Sequence, residues 1–352
     1  MKSLDFSPAV LAALGAAALF GASTPFAKLL VGGLSPFLLA GLLYLGSGIG
    51  LTLVRLFRDR GWKSPGLPMA EWPWLLGAIA AGGVAGPVLL MAGLAHTEAA
   101  TASLLLNLEA VLTAVLAWVV FRENADRRIV LGMVLIVAGG ALLAVPGAGQ
   151  ATAGLAGPAL IAAACLAWAV DNNLTRKVSA SDALFIAGIK GLVAGSVNLG
   201  VALFAGSTLP TVTVAAPAML IGFLGYGVSL VLFVLALRGL GAARTGAYFS
   251  TAPFIGAATA ILMLGDSTSL QFWLASGLMA AGVWLHLTER HEHEHTHEAL
   301  EHRHRHVHDA HHQHEHDFEW DGTEPHTHPH RHIPVTHKHA HYPDIHHRHR
   351  HS

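Results

Sequence analysis

Long apolar runs, set almost back to back, constrain this chain more than any other feature. Ten of them can be read, at roughly residues 8–31, 36–56, 72–93, 98–121, 128–145, 155–174, 183–205, 213–237, 242–264 and 269–288. Each is close to the about 20 residues that cross about 30 Å of hydrocarbon. Lipid cannot satisfy a free backbone, so helices are the open choice. Short stretches of Gly, Pro, Ser and charge join them. Only 12% of the 352 residues are charged and 53% are hydrophobic, which no soluble domain of this size matches. The first run does not read as a cleavable leader: it lacks basic residues beyond Lys2 and continues into a second run. The expected fold class is an all-α membrane protein of ten transmembrane helices.

Charge gives an orientation and a boundary. With the N-terminus inside, Lys2, Arg55, Arg58, Arg60, Lys63, Arg122, Arg127, Arg128, Arg176, Lys177, Arg238, Arg244 and Arg290 all fall on one side. Such a bias places both termini in the cytoplasm, and the expected location is the plasma membrane, a bacterial inner membrane. Of the 25 histidines, 23 follow residue 290; His96 and His286 precede it. The last stretch is therefore a separate, polar region. Cys165 is the single cysteine, so no internal disulfide is available. No basic surface domain is present to bind nucleic acid, and no phosphate loop of the GxxxxGK[ST] type occurs.

The ten spans divide into five and five. AVLTAVLAWVVFRE (110–123) corresponds to PFIGAATAILMLGD (253–266) at a shift of 143, each ending on a carboxylate, Glu123 or Asp266. Gly82 falls on Gly225 at the same shift, and LFGASTPFAK (19–28) on AWAVDNNLTR (167–176) at a shift of 148. Five is odd, so the halves point in opposite directions, as in many secondary transporters. The expected organisation is one repeat over 1–145, a second over 146–290 and a disordered tail over 291–352. Together with the small-residue runs 99–123 and 241–266, these motifs resemble the drug/metabolite transporter superfamily, EamA type, over about residues 8–288. The resemblance implies a non-enzymatic secondary carrier, usually an exporter of small organic molecules, with no required cofactor. Its partners would be the lipid bilayer and a small-molecule substrate, with a homodimer left open.

Ionisable groups inside a span cost about 2.5–3.5 kcal/mol at the helix centre and are functional candidates. Glu109 lies near the middle of the fourth span, where a carboxyl can exist as a neutral acid and exchange a proton. Thr113 shares its helix face, and Ser103 and Asn107 form a second polar edge. Lys190 lies about 12 Å into the seventh span, at a depth that lets it pair with Asp171 of the sixth. Glu109, Asp171 and Lys190 align with Ala252, Ser23 and Leu42, so the charge is asymmetric on a symmetric scaffold. Pro25, Pro87 and Pro253 should bend their helices and free carbonyls. Ser23, Thr24, Asn172, Asn173, Tyr248, Ser250 and Thr251 lie nearby and complete the candidate substrate and proton site. Glycine pairs 46/50, 82/86 and 191/195 suit close helix packing. Trp62, Trp72 and Trp74 read as interface anchors.

The tail carries His291, His293, His295 and His297, then His302, His304, His306 and His308, then His311, His312, His314 and His316, with further runs to residue 351. Imidazole suits Zn²⁺, Ni²⁺, Co²⁺ and Cu²⁺, and binding should weaken as pH falls through about 6.5. Three functions follow from these features. The leading one is proton-coupled export of a small metabolite or drug-like molecule. The second is export of divalent metal fed by the tail. The third is a membrane-tethered metal buffer that transports nothing.

Overall fold

The computed structural model describes residues 8–121, 127–145, 154–178, 181–288, 292–297, 300–306, 326–332 and 335–340. Among them, thirteen α-helices run in order: α1 Pro8–Leu30, α2 Pro36–Asp59, α3 Trp72–Ala78, α4 Gly86–Ala95, α5 Ala99–Leu105, α6 Leu108–Phe121, α7 Arg127–Ala144, α8 Ala156–Thr175, α9 Ala183–Phe204, α10 Val212–Gly222, α11 Ser229–Phe249, α12 Ala252–Thr259 and α13 Leu270–Leu287. A π-helical segment, Ile79–Ala85, joins α3 to α4, and another, Phe223–Val228, joins α10 to α11. A third, Ala260–Leu264, follows α12. Seven helical segments are long and apolar enough to cross a membrane: Pro8–Leu30, Pro36–Asp59, Met69–Ala95, Ala99–Val120, Arg127–Ala144, Ala183–Phe204 and Val212–Ala236. Ala252–Leu264 is apolar but shorter.

Helix ends follow local chemistry. Ser35 accepts from the Leu38 amide to start α2, Asp182 from Leu184 to start α9, and Ser269 from Phe272 to start α13. Arg60, with φ of 54°, closes α2 in the left-handed region. One of these helices, α11, cannot be straight. Sixteen residues of α-helix would separate Phe233 from Phe249 by about 24 Å, yet their ring centroids are 4.9 Å apart. The chain of α11 therefore turns back on itself between these two rings.

Packing reveals the inverted repeat. Backbones of α2 and α9 touch antiparallel through glycines: a Cβ on Gly41 would meet Leu199, one on Gly195 Leu45, and one on Gly48 Leu192. α7 and α13 pair the same way, Gly132 facing His286 and Gly139 facing Met279. These helices are the second with the seventh, and the fifth with the tenth, of the sequence runs. Two further contacts exchange between halves. α8 runs against the third span, with Asp171 at Gly82 and Trp168 at Gly86; α1 runs against the eighth, with Ser23 at Gly225 and Ser229 donating to the Ala16 carbonyl at 2.9 Å. Small residues allow this approach where water drives nothing together.

The tail departs from expectation. Disorder was expected over 291–352, but its described residues form four strands: β1 Glu292–His297, β2 Leu300–His306, β3 His326–His332 and β4 Val335–Ala340. β1 pairs antiparallel with β4 and β2 with β3. Their alternation of histidine with other residues has the two-residue period of a strand. His291, His308, His311, His312, His314 and His316 lie outside the described residues, as does Glu123.

Candidate functional site

The fourth span is not one continuous helix. α5 stops at Leu105 and α6 restarts at Leu108; the Leu106, Asn107 and Glu109 amides donate to Ser103, Leu104 and Leu106 at 3.2, 3.0 and 3.1 Å. These are three-residue bonds, tighter than the α-helical pattern. Asn107 helps set the break: its side-chain amide donates to the Leu104 carbonyl at 2.9 Å, competing with the helix ladder. The same side chain reaches Met279 Sδ at 3.8 Å. Asn107 is thus buried against α13 and does not join Glu109. The second half breaks at the corresponding place, before Ala252, where Ser250 and Thr251 hydroxyls donate to Gly246 and Tyr248 at 2.8 and 2.6 Å. Both side chains serve their own helix, and the nearby Tyr248 is half-buried.

Glu109 stands immediately after the first break, half-buried. Its Oε1 accepts from the Asn172 side-chain amide of α8 at 2.9 Å, and that amide also reaches Thr113 Oγ1 at 3.4 Å. Asn172 is exposed. Its neighbour Asp171 is turned by one helical step, about 100°, and lies buried. Both Asp171 carboxylate oxygens accept from Lys190 Nζ of α9, at 2.6 and 2.8 Å. The Thr175 hydroxyl donates to Asp171 at 2.7 Å and accepts from Lys190 at 3.2 Å. One turn of α8 therefore offers two faces: an ion pair toward α9 and a neutral amide toward Glu109.

Gly82 shapes the first face. Any Cβ there would overlap the Asp171 carboxylate. The Gly82 carbonyl accepts from Tyr44 Oη at 2.9 Å and Trp168 Nε1 at 3.0 Å, in the middle of the π-helical segment. The neighbouring Gly83 carbonyl, freed by Pro87, accepts from the Asn198 side chain at 3.3 Å. Proline does not explain the π segment, because the second half has one over Phe223–Val228 with Leu230 at the matching position. Beside these groups lies an aromatic cluster. Phe20 sits 6.4 Å from Trp168, 6.0 Å from Tyr226 and 5.4 Å from Phe249, and Tyr44 sits 5.4 Å from Tyr226. Phe20 and Trp168 occupy matching positions of the two halves. Of the remaining candidates, Ser23 donates to Phe20 O at 2.6 Å and Thr24 is buried in α1. Asn173 donates to Ala169 O at 2.8 Å.

Two polar ties lie at opposite ends of the helices. At one, Lys28 donates to the carbonyls of Leu94 and, at 2.8 Å, of Thr97, while Asp266 accepts from the Ala100 amide at 2.8 Å. At the other, Asp182 accepts from Arg55 at 3.1 Å and Arg58 at 2.5 Å. Burial works against charging Asp182, but the hydrogen bonds from Arg58 and Arg55 prevail and hold its carboxyl below the usual range. Arg55 also lies over the Trp62 and Phe185 rings, at 5.1 and 5.4 Å from their centroids. Trp62 therefore has a definite partner beyond the interface role read from sequence.

Sequence reasoning missed Tyr44, Trp168, Thr175, Phe20 and Asn198. Trp168 carried one signal, since it aligns with Phe20 in the repeat. The others are ordinary residues of apolar helices, and only the packing shows their partners.

Comparison with known proteins places this geometry. The chain matches the EamA-like transporter family twice, over residues 7–145 and 155–288. It belongs to that family, and it is a multi-pass membrane transporter. It is similar to an uncharacterized transporter of Methanothermobacter thermautotrophicus, 27% identical over 281 residues that cover 76% of this chain and 82% of the relative. A crystal structure of a protein with 20% sequence identity shares the fold, at a TM-score of 0.61 over 79% of this chain and 95% of its own.

Proposed function

We propose that the protein is a proton-coupled secondary transporter that exports a small metabolite or drug-like molecule from the cytoplasm. Counting α8, the α11–α12 segment and α13 with the seven longer segments gives ten passes, with both termini cytoplasmic. The contact between Glu109 and Asn172 carries the reading. A membrane-embedded carboxyl is costly and here, among the described residues, its hydrogen-bond partner is the neutral Asn172 amide, so it can take up and release a proton without breaking an ion pair. Asn172, exposed beside it, gives water or substrate a route to the same oxygen. The Asp171–Lys190 pair, one helical step away, supplies fixed polarity, and the aromatic cluster supplies apolar surface for an organic substrate. In this reading Lys28 and Asp266 hold the outer end closed while the Glu109 side faces the cytoplasm. Proton exchange at Glu109 would then be linked to the change of access.

The test uses inverted vesicles from cells making the full chain, given candidate substrates in the outer medium under an imposed proton gradient, and reads uptake into the lumen. Glu109→Gln keeps the size and hydrogen bond of the side chain but cannot ionise. Gradient-driven transport is expected to fall to background while exchange of substrate without a gradient survives. Full gradient-driven transport in the variant contradicts the role given to Glu109.

A further inference from the structure

A groove lies between the C-terminal end of α2 and the N-terminal end of α9. Leu56, Trp62, Phe185, Ile189 and Leu192 line it, and Gly188 contributes no side chain to fill it. The lining is almost wholly apolar. Leu53, Val54 and Phe57, on the same stretch of α2, are exposed, the pattern of a surface that meets lipid.

The rim of the groove is charged. From residue 55 to residue 63 the chain carries Arg55, Arg58, Arg60 and Lys63 against Asp59, and Asp182 stands beside them at the start of α9. Both carboxylates are taken: Asp182 by Arg55 at 3.1 Å and Arg58 at 2.5 Å, and Asp59 by Arg58 at 2.7 Å. Arg60 and Lys63 are exposed and have no carboxylate partner among the described residues. Their backbones are nonetheless fixed. The Arg60 amide closes α2 onto the Leu56 and Phe57 carbonyls, and the Lys63 carbonyl accepts from Arg55 at 2.8 Å. Trp62 lies between them in the chain. Its ring is held by the Arg55 guanidinium, 5.1 Å from its centroid, and by the Phe185 ring, edge-on at 6.3 Å. Apolar groove and cationic rim thus form one packed unit.

From this juxtaposition we infer that α2 and α9 bind one anionic phospholipid, with an acyl chain in the groove and its phosphate at Arg60 and Lys63. Charge complementarity selects this occupant. Basic clusters at the end of a membrane helix attract anionic headgroups, whereas a zwitterionic lipid brings a cation of its own to a rim already in positive excess. Free phosphate has no chain to place in the groove. The inference does not rest on the carrier mechanism; the proposed orientation decides only that the lipid belongs to the cytoplasmic leaflet.

The experiment titrates the lipid-depleted full chain, in uncharged detergent, with phosphatidylglycerol or with phosphatidylcholine of the same acyl chains, and counts bound lipid by native mass spectrometry. Phosphatidylglycerol is expected to bind about tenfold tighter or more, and inorganic phosphate is expected not to displace it. Arg60→Gln with Lys63→Gln should weaken phosphatidylglycerol by about tenfold or more, from the attraction of two cations near an anionic headgroup. Arg127→Gln with Arg128→Gln, the same charge change elsewhere, should leave it unchanged. Leu56→Trp, which fills the groove and keeps the rim, should also weaken it. Equal affinity for the two lipids, equal losses in both charge variants, displacement by phosphate or an unaffected Leu56→Trp protein would each overturn the inference. Unfolding midpoints without lipid, equal to that of the parent, separate these outcomes from misfolding; should Leu56→Trp fail to fold, the exposed Arg60 and Lys63 pair decides alone.

Discussion

At the scale of single residues, the site depends on which charges have partners. Asp171 and Lys190 are buried and satisfy each other, so removing one alone strands the other. Breaking a buried pair from one side costs about 3–5 kcal/mol. Asp171→Asn and Lys190→Met are each expected to lower thermal stability strongly, and the double variant to recover much of the loss. Measured as a double-mutant cycle, additive losses would show that the pair contributes no mutual stabilisation. Asp182 behaves differently because it lies at a helix start outside the spans. Its carboxyl is held below the ordinary range in the folded protein. Its stabilisation is therefore fully present above the unfolded carboxylate value, about 3.9, and is lost as pH falls through the depressed one. Unfolding midpoints measured downward from pH 5 should drop more steeply below about pH 4 for the unmodified protein than for Asp182→Asn, the two curves approaching each other as pH falls further. Parallel curves would remove Asp182 from the account.

At the scale of elements, the repeat is expressed as matching irregularities. Each half has a π-helical segment in its third helix pass and a helix break in its fourth. A π turn commonly marks a functional site because it re-aims the side chains after it. Gly82 is the residue that lets the first one approach α8. Gly82→Ala is expected to push Asp171 aside and reduce transport sharply, with folding preserved. Gly225→Ala, which faces Ser23 rather than an ion pair, should reduce it less. Transport rates for the two variants, normalised to protein in the membrane, check this order; equal rates would detach the π segment from the ion pair.

The sequence made the helical runs and the halves visible because apolar length and residue type survive without coordinates. Depth alone brought Asp171 and Lys190 into register. The π segments stayed hidden: they insert one residue into a ladder without changing composition. The Asn107 break was hidden too, because Asn is polar in any setting and its bond to Leu104 is local. Asn107 therefore read as part of a second polar edge of the candidate site when it instead serves the backbone and α13. The tail shows the reverse. Its composition favoured disorder, while its two-residue alternation already carried the strand pattern.

At the scale of the whole molecule, opposite insertion of two similar halves makes each polar feature a question of which side it faces. The tie of Lys28 and Asp266 lies at the outer end in the proposed orientation, and the exposed Asn172 lies toward the inner end. An inward-facing carrier follows if Glu109, Thr113 and Asn172 border water rather than lipid. The most direct test places a single cysteine at Thr113 in a Cys165→Ala background and offers it a membrane-impermeant thiol reagent from each side. The account predicts labelling in inverted vesicles, where the cytoplasmic face is outside, and protection in intact cells. No labelling from either side, with reaction only toward lipid-soluble reagents, would place the Glu109 face in the bilayer and contradict the transport mechanism.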